Sequence, residues 1–248
     1  MLKRILMPAW TLASTTVYTL VLAFPTIITA ILSRTGRLPF SIGKLWVWLI
    51  LKSNRVKVQV IGSEKIKNWR SYVFISNHAS NLDPLAVAQG IRNTLRFVGK
   101  RSLFKIPFFG WAVSLARMIP IDRSDGPAAV TRINRVVREL REGISVYFFA
   151  EGTRSGDGTL QKFKKGGVMF ALRSRLPIVP ITIVNSNRLL PKGSLLVSPG
   201  TLKVIIGDPI ETEGMKDSAR DLLLKKVRGT IARNLRKFSS TLRESPAH

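Results

Sequence analysis

From Ile5 to Ser33 the chain carries no charged side chain. Coiled as a helix, that stretch runs about 40 Å, longer than the roughly 30 Å hydrocarbon thickness of a bilayer. A segment of this kind needs an apolar environment along its whole length, which a buried soluble helix rarely finds. It lacks a clear small-x-small cleavage site, so a retained anchor is expected rather than a removed leader. Basic residues flank it on both sides, Lys3 and Arg4 before it and Arg34, Arg37, Lys44, Lys52 and Arg55 after it, so charge gives no clean orientation. Pro25 predicts a kink. A second apolar run, Leu45 to Leu51, is too short to cross, and Trp46 and Trp48 suit an interface. The expectation is a two-helix membrane anchor in residues 1–55, a hairpin entering the cytoplasmic, inner leaflet, with a single full span as the alternative.

The formal net charge is +26 and there is no cysteine. Disulfides, zinc fingers and thiol catalysis are thereby excluded. The cationic excess calls for a polyanionic partner, either nucleic acid, an anionic membrane surface or phosphorylated substrates. Beside so apolar an N-terminus, the membrane surface fits and no nucleic acid is expected.

Residues 56–248 read as one α/β domain with a mostly parallel central sheet flanked by helices. Val56–Ile61 alternates like an edge strand. Tyr72–Ser76 and Ser145–Ala150 are apolar, strand-length runs, each followed by a loop and a helix-like segment. Leu95–Gly99 and Ile178–Ile183 are further strands, Pro180 placing the latter at an edge or a bulge. A helix is expected at Pro84–Ile91, an amphipathic one at Ala128–Arg141 and a basic one at Met215–Lys237. Leu195–Ser198 and Leu202–Ile206 read as a hairpin around Pro199-Gly200.

The chemistry is sought in Asn77-His78-Ala79-Ser80-Asn81-Leu82-Asp83, between a strand and a helix start. The other histidine, His248, is the last residue, so His78 is the candidate proton shuttle. A turn leading to a helix N-cap can fold Asp83 back onto the imidazole, fixing its tautomer. With no cysteine and no Gly-x-Ser-x-Gly elbow, a catalytic His78 would deprotonate a substrate hydroxyl. The plainer alternative makes Asp83 a helix cap, worth about 1 kcal/mol, and His78 a loop residue. A second candidate is Glu151-Gly152-Thr153-Arg154-Ser155, whose glycine lets N–H groups approach an anion and whose Arg154 offers a planar donor fork. Glu151 suits orienting Arg154 or bonding a substrate hydroxyl. Clusters that would bind a metal or redox cofactor are absent from the sequence.

Asn77-His78-x-Ser80-x-x-Asp83, then Phe148-Phe149-Ala150-Glu151-Gly152-Thr153-Arg154-Ser155, then Ile178-Val179-Pro180-Ile181, resembles the glycerolipid acyltransferase family from about Val56 to Ile210. The resemblance implies His78 as base, Asp83 as its orienting acid and Arg154 as leading phosphate ligand, with Glu151, Gly152 and Thr153 in the same substrate loop. Lys100, Lys105, Arg123 and Lys164 are the further cations it suggests for phosphate or membrane contact. Met118–Arg123 stands where the family's second motif lies, with Arg117 where a glycine is usual and Pro120 where an aromatic is common. The implied reaction moves an acyl group from a thioester, acyl-CoA or acyl carrier protein, to the 2-hydroxyl of 1-acylglycerol 3-phosphate, a lysophosphatidic acid, giving phosphatidic acid. No metal or other cofactor is implied. The alternatives are another lysophospholipid or glycerol 3-phosphate as acceptor, or a non-catalytic cationic module binding membrane or nucleic acid.

Overall fold

The computed structural model describes residues 2–33, 35–121, 136, 137, 140 and 143–240. The expected helix at 128–141, and Arg123 with its neighbours Asp122 and Asp125, therefore lie outside the described residues, apart from Val136, Val137 and Leu140.

The uncharged stretch forms one helix, α1 (Leu2–Leu32), and the second run forms α2 (Arg37–Ser53). Among the described helices only α1, over Leu6–Leu32, is long and apolar enough to cross a membrane. This corrects the two-helix anchor. In α2, Phe40, Val47, Ile50 and Leu51 are buried, so α2 spends much of its apolar surface on the domain itself. The two helices run antiparallel, pinned by Trp10 Nε1 donating to Ser53 O, Thr11 Oγ1 to Asn54 Oδ1 and Trp46 Nε1 to Thr19 Oγ1. Along α1, the hydroxyls of Thr19, Thr26 and Thr29 return to carbonyls one turn back, at 2.6–2.8 Å. Polar atoms so satisfied tolerate an apolar surrounding. Phe24 (71% exposed) and Ile31 (79%) stand largely uncovered by the rest of the protein.

Seven strands among the described residues make one sheet: β1 (Val56–Ile61), β2 (Val73–Ser76), β3 (Thr94–Lys100), β4 (Ile119–Ile121), β5 (Ile144–Phe149), β6 (Ile178–Val184) and β7 (Gly200–Ile206), in the order β1-β7-β6-β2-β5-β3-β4. β1 lies at the edge, as its alternation predicts. The sheet is mixed. Parallel pairing holds from β6 through β4 and between β1 and β7, but β6 and β7 are antiparallel. The expected hairpin does not form: Leu195–Ser198 is not a strand, and β7 pairs with β6 and β1 instead.

β6 is an interior strand, buried throughout, so of the edge or bulge expected from Pro180 it is the bulge that is found. The reason is local. Pro180 O accepts from Gly207 N, and the N and O of one strand residue point to the same side, so the imide nitrogen faces the end of the β7 ladder. That ladder runs to Ile181↔Ile206 and resumes at Ile178↔Ile210, one residue longer on the partner side, which is the bulge a proline needs.

Period-two alternation divides the core. Phe74, Tyr147, Val179 and Ile181 face α2 and α3 (Leu82–Gly90), and Val73, Ile75, Val146 and Phe148 face α5 (Gly166–Ser174) and α7 (Arg220–Ser240). Between these, α4 (Phe109–Leu115) follows a 3-10 turn at Arg101–Lys105 and packs Phe109 on Trp46, while α6 (Ser186–Leu189) is a single turn after β6. Gly167 brings α5 down on the sheet, since a Cβ there would stand 3.1 Å from Ile75 Cδ1 and 3.2 Å from Phe148 Cβ.

The connections fix where a ligand can sit. β2 leads through α3, on one face, to β3, and β5 leads through α5, on the other face, to β6. β2 and β5 are neighbours, so their outgoing loops part in opposite directions and leave a crevice at the strands' carboxyl ends.

Candidate active site

His78 stands two residues beyond β2 at that crevice. Its Nδ1 lies 2.8 Å from Asp83 Oδ2, and the same oxygen accepts the N–H of Ala79 at 2.6 Å and of Ser80 at 2.8 Å. Asp83 is wholly buried and the His78 side chain 17% exposed, so the acid is hidden and the ring reaches solvent. Asp83 is not the helix cap: α3 begins at Leu82, and the carboxylate in its first turn reaches back to the N–H groups of the preceding turn. A carboxylate on Nδ1 selects the tautomer with the proton there, which leaves Nε2 as the free acceptor.

Three supports hold the His78 loop. Asn77 makes a two-bond bridge to β6, Nδ2 to Ile183 O and Ile183 N to Oδ1, each 2.9 Å. Ser80 Oγ donates to Leu190 O at 2.8 Å. The Phe149 ring stacks on the imidazole with centroids 4.1 Å apart.

Glu151 is the fourth. Its Oε1 accepts the His78 N–H at 2.7 Å and its Oε2 the Gln161 N–H at 3.1 Å, while Ser155 N donates to His78 O at 2.9 Å. The expectation that Glu151 orients Arg154 or meets a substrate hydroxyl gives way to a carboxylate, 3% exposed, spent on tying the two loops together. Burial raises its pKa above the usual glutamate range against the pull of those two N–H groups. Gly152 follows with φ 72°, a left-handed turn that costs glycine little, and carries the chain out to an exposed Thr153 and a half-buried Arg154.

The acyltransferase family, as a sequence family, matches residues 57–184. The 1-acyl-sn-glycerol-3-phosphate acyltransferase of Pseudomonas aeruginosa is 32% identical over 194 residues, 78% of this chain and 74% of that one. The chain belongs to the acyltransferase family. The chloroplastic 1-acyl-sn-glycerol-3-phosphate acyltransferase of Arabidopsis thaliana is 34% identical over 196 residues, 78% of this chain and 53% of its own. The chain thus spans about half the length of the chloroplastic relatives it matches. In fold it is similar to the crystal structure of the LPA acyltransferase PlsC of Thermotoga maritima, with TM-score 0.82, 23% identity, and coverage of 100% of this chain and 99% of that one.

The remaining candidates of the chain lie around the same end of the sheet. Lys100 ends β3 and is exposed, one strand beyond β5. Lys105 ends the following 3-10 turn, also exposed. Lys164 holds its backbone to Ala150 O at 2.7 Å with an exposed side chain just before α5. Arg117 adopts φ 56°, a left-handed backbone that costs a residue with a side chain about 1–2 kcal/mol. Among the described residues no three His, Cys, Asp or Glu side chains gather as metal ligands.

Sequence reading missed the tether from Glu151 to His78 and the Phe149 stack. Neither carries a signal of its own: Phe149 is one apolar residue in an apolar strand, and a glutamate beside an arginine reads first as its ion-pair partner. Lys192, whose Nζ donates to Arg154 O at 3.0 Å, was equally silent.

Proposed function

We propose that this acyltransferase moves a fatty acyl group from a thioester donor, acyl-CoA or acyl carrier protein, to the 2-hydroxyl of 1-acylglycerol 3-phosphate, forming phosphatidic acid. The observation that carries the reading is the His78–Asp83 pair: a buried carboxylate 2.8 Å from Nδ1, with the ring opening on the crevice between β2 and β5. His78 Nε2 takes the proton of the acceptor hydroxyl as its oxygen attacks the thioester carbonyl. The imidazolium so formed, stabilised by Asp83, returns the proton to the departing thiolate. The thioester is already activated, so no covalent enzyme intermediate and no metal is required; base catalysis contributes about 10²–10⁴-fold and alignment of the two substrates supplies more.

Arg154 is the phosphate ligand in this reading, with Gly152 and Thr153 presenting backbone N–H groups, and Lys100, Lys105, Lys164 and Arg123 add positive potential or lipid contact. Residues 1–55 serve as the anchor and residues 56–248 as the catalytic domain. The long, apolar and largely exposed α1 supports insertion at the cytoplasmic leaflet, where acceptor and product reside, with α2 joining it to the domain. Exposed Leu103, Ile106, Phe108 and Trp111 beside Lys100 and Lys105 add an apolar and cationic rim suited to anionic lipid.

The test is acyl transfer from acyl-CoA or acyl carrier protein to lysophosphatidic acid in detergent micelles, wild type against His78→Ala. Transfer by the wild type with a loss of about 10²-fold or more in the variant is expected. Equal rates in the two proteins would overturn the role of His78, and preference for an acceptor without an acyl tail would overturn the choice of substrate.

A further inference from the structure

The loop that carries Arg154 holds two acids, Glu151 and Asp157, and neither pairs with a cation. Glu151 is spent on the His78 and Gln161 N–H groups. Asp157 Oδ1 takes the N–H and the hydroxyl of Thr159, at 3.0 and 2.7 Å. Among the described residues no carboxylate lies within ion-pair distance of Arg154. Instead the loop receives a second cation: Lys192 Nζ donates to Arg154 O at 3.0 Å. That bond uses one of the three donors of the ammonium, and no described carboxylate pairs with Lys192 either.

Lys192 arrives on a third loop, between α6 and β7, which also touches the His78 loop. Its base is firmly held. Leu189 and Leu190 are buried in the core, Leu190 O accepts from Ser80 Oγ at 2.8 Å, and Ser198 N donates to Leu189 O at 2.7 Å. Beyond that base Ser194 N closes a turn onto Pro191 O at 3.1 Å, with Lys192 as its second residue. On α6, Asn187 Nδ2 makes another contact to the Arg154 loop, donating to Asp157 O at 3.3 Å. Lys192 is exposed and Arg154 half-buried, so a ligand from solvent or membrane can reach both.

Two like charges drawn onto one loop without a counter-ion repel, and an anion bound beside both relieves the repulsion. A phosphate monoester carries about −1.5 to −2 charges at neutral pH, whereas a phosphodiester carries a single one, so a second cation favours the monoester. We propose that Lys192 is the second phosphate cation of the acceptor site and selects a phosphate monoester, the head group of lysophosphatidic acid, over phosphodiester lipids. The inference rests on the acceptor reading of Arg154.

The test is equilibrium binding to the full chain in detergent micelles, by calorimetry and without an acyl donor. One probe is a lysophosphatidic acid lacking the 2-hydroxyl, and the other is the same lipid with its phosphate capped as a methyl diester. Wild type is expected to bind the monoester about tenfold more tightly. Lys192→Gln keeps an amide donor for Arg154 O and loses the charge. It is expected to weaken monoester binding about tenfold and diester binding less than about threefold. Lys192→Arg should stay within about twofold of wild type, as should Lys216→Gln, an exposed lysine that controls for overall charge. In turnover the same loss should appear in the acceptor KM, with kcat within about twofold. Unchanged monoester binding in Lys192→Gln overturns the proposal, and so does an equal loss on both lipids, which makes Lys192 a tether alone. If wild type binds neither lipid, the acceptor reading of Arg154 fails and this inference with it. If the preference and its loss are seen but no acyl group is transferred, the two-cation site stands and the reaction assigned to His78 is wrong.

Discussion

Replacing Glu151 separates a tether from a substrate ligand. Its carboxylate holds two backbone N–H groups from different loops, His78 at 2.7 Å and Gln161 at 3.1 Å. Glu151→Ala strands both, at about 1–3 kcal/mol each, partly offset because a charge no longer has to be buried. A net loss of about 2–4 kcal/mol lowers the melting midpoint by roughly 5–15 °C for a chain of this size. Freed of its anchor, His78 drifts, and a misplacement of about 1 Å costs about 10²-fold in kcat. Glu151→Gln keeps one acceptor for the His78 N–H but turns an NH2 group toward the Gln161 N–H, so it should lose only about three- to tenfold in kcat. Neither variant should change KM for the phosphorylated acceptor more than about threefold. Steady-state kinetics and thermal unfolding of the two proteins, side by side, provide the assay. A rise in acceptor KM with kcat intact, or equal damage from glutamine and alanine with unchanged midpoints, would refute the tether. The pH dependence has a definite sign. Because burial raises the Glu151 pKa, its contribution to stability is complete below the unfolded glutamate pKa and declines as pH rises through the folded one. Wild type should therefore lose stability relative to Glu151→Gln as pH climbs through that window, and the opposite trend would contradict the burial argument.

Asp83→Asn should fold with a midpoint within a few degrees of wild type, since an amide oxygen can take the bonds now made by Oδ2, yet it should lose about 10²–10⁴-fold in kcat/KM as the imidazolium loses its counter-charge; activity within threefold of wild type would mean that the carboxylate is only structural. Arg154→Ala should raise the acceptor KM about ten- to hundredfold with kcat little changed, and Arg154→Lys should restore only part of the loss because an ammonium cannot reproduce the guanidinium fork. An unchanged KM in both would remove Arg154 from the phosphate site.

The parts of the molecule legible in the sequence are those where one residue's neighbours along the chain decide its state. The buried strands Val73–Ser76, Ile144–Phe149 and Ile178–Val184 are read from apolar runs, and the His78–Asp83 contact from a turn running into a helix start. What escaped depends on partners distant in sequence. Whether Leu202–Ile206 folds back on Leu195–Ser198 or pairs with β1, some 140 residues earlier, is decided by which edge of the sheet is open, and no local pattern records that. Pro180 illustrates the same limit, because its tolerance inside the sheet depends on a bulge beginning at Gly207. Glu151 shows it within the site: its neighbour Arg154 is near in sequence, but the N–H it holds lies 73 residues away.

The crevice explains why the two sequence motifs need to be so far apart. A base that takes a proton from one substrate while a second is being attacked must stand between two binding surfaces that can be shaped independently. Neighbouring parallel strands supply this when their outgoing loops turn to opposite faces, as β2 and β5 do. The β2 loop can then hold the imidazole, and the β5 loop can carry Arg154 out toward the acceptor without dragging the base along. Such freedom would leave the base poorly aimed unless the loops were joined at one point. The bond from Glu151 to the His78 N–H, and from Ser155 N back to His78 O, is that joint. On the proposed reading the β5 loop aims the base as well as holding the acceptor, which is why the loss expected from Glu151→Ala appears in kcat while the loss expected from Arg154→Ala, three residues on, appears in KM.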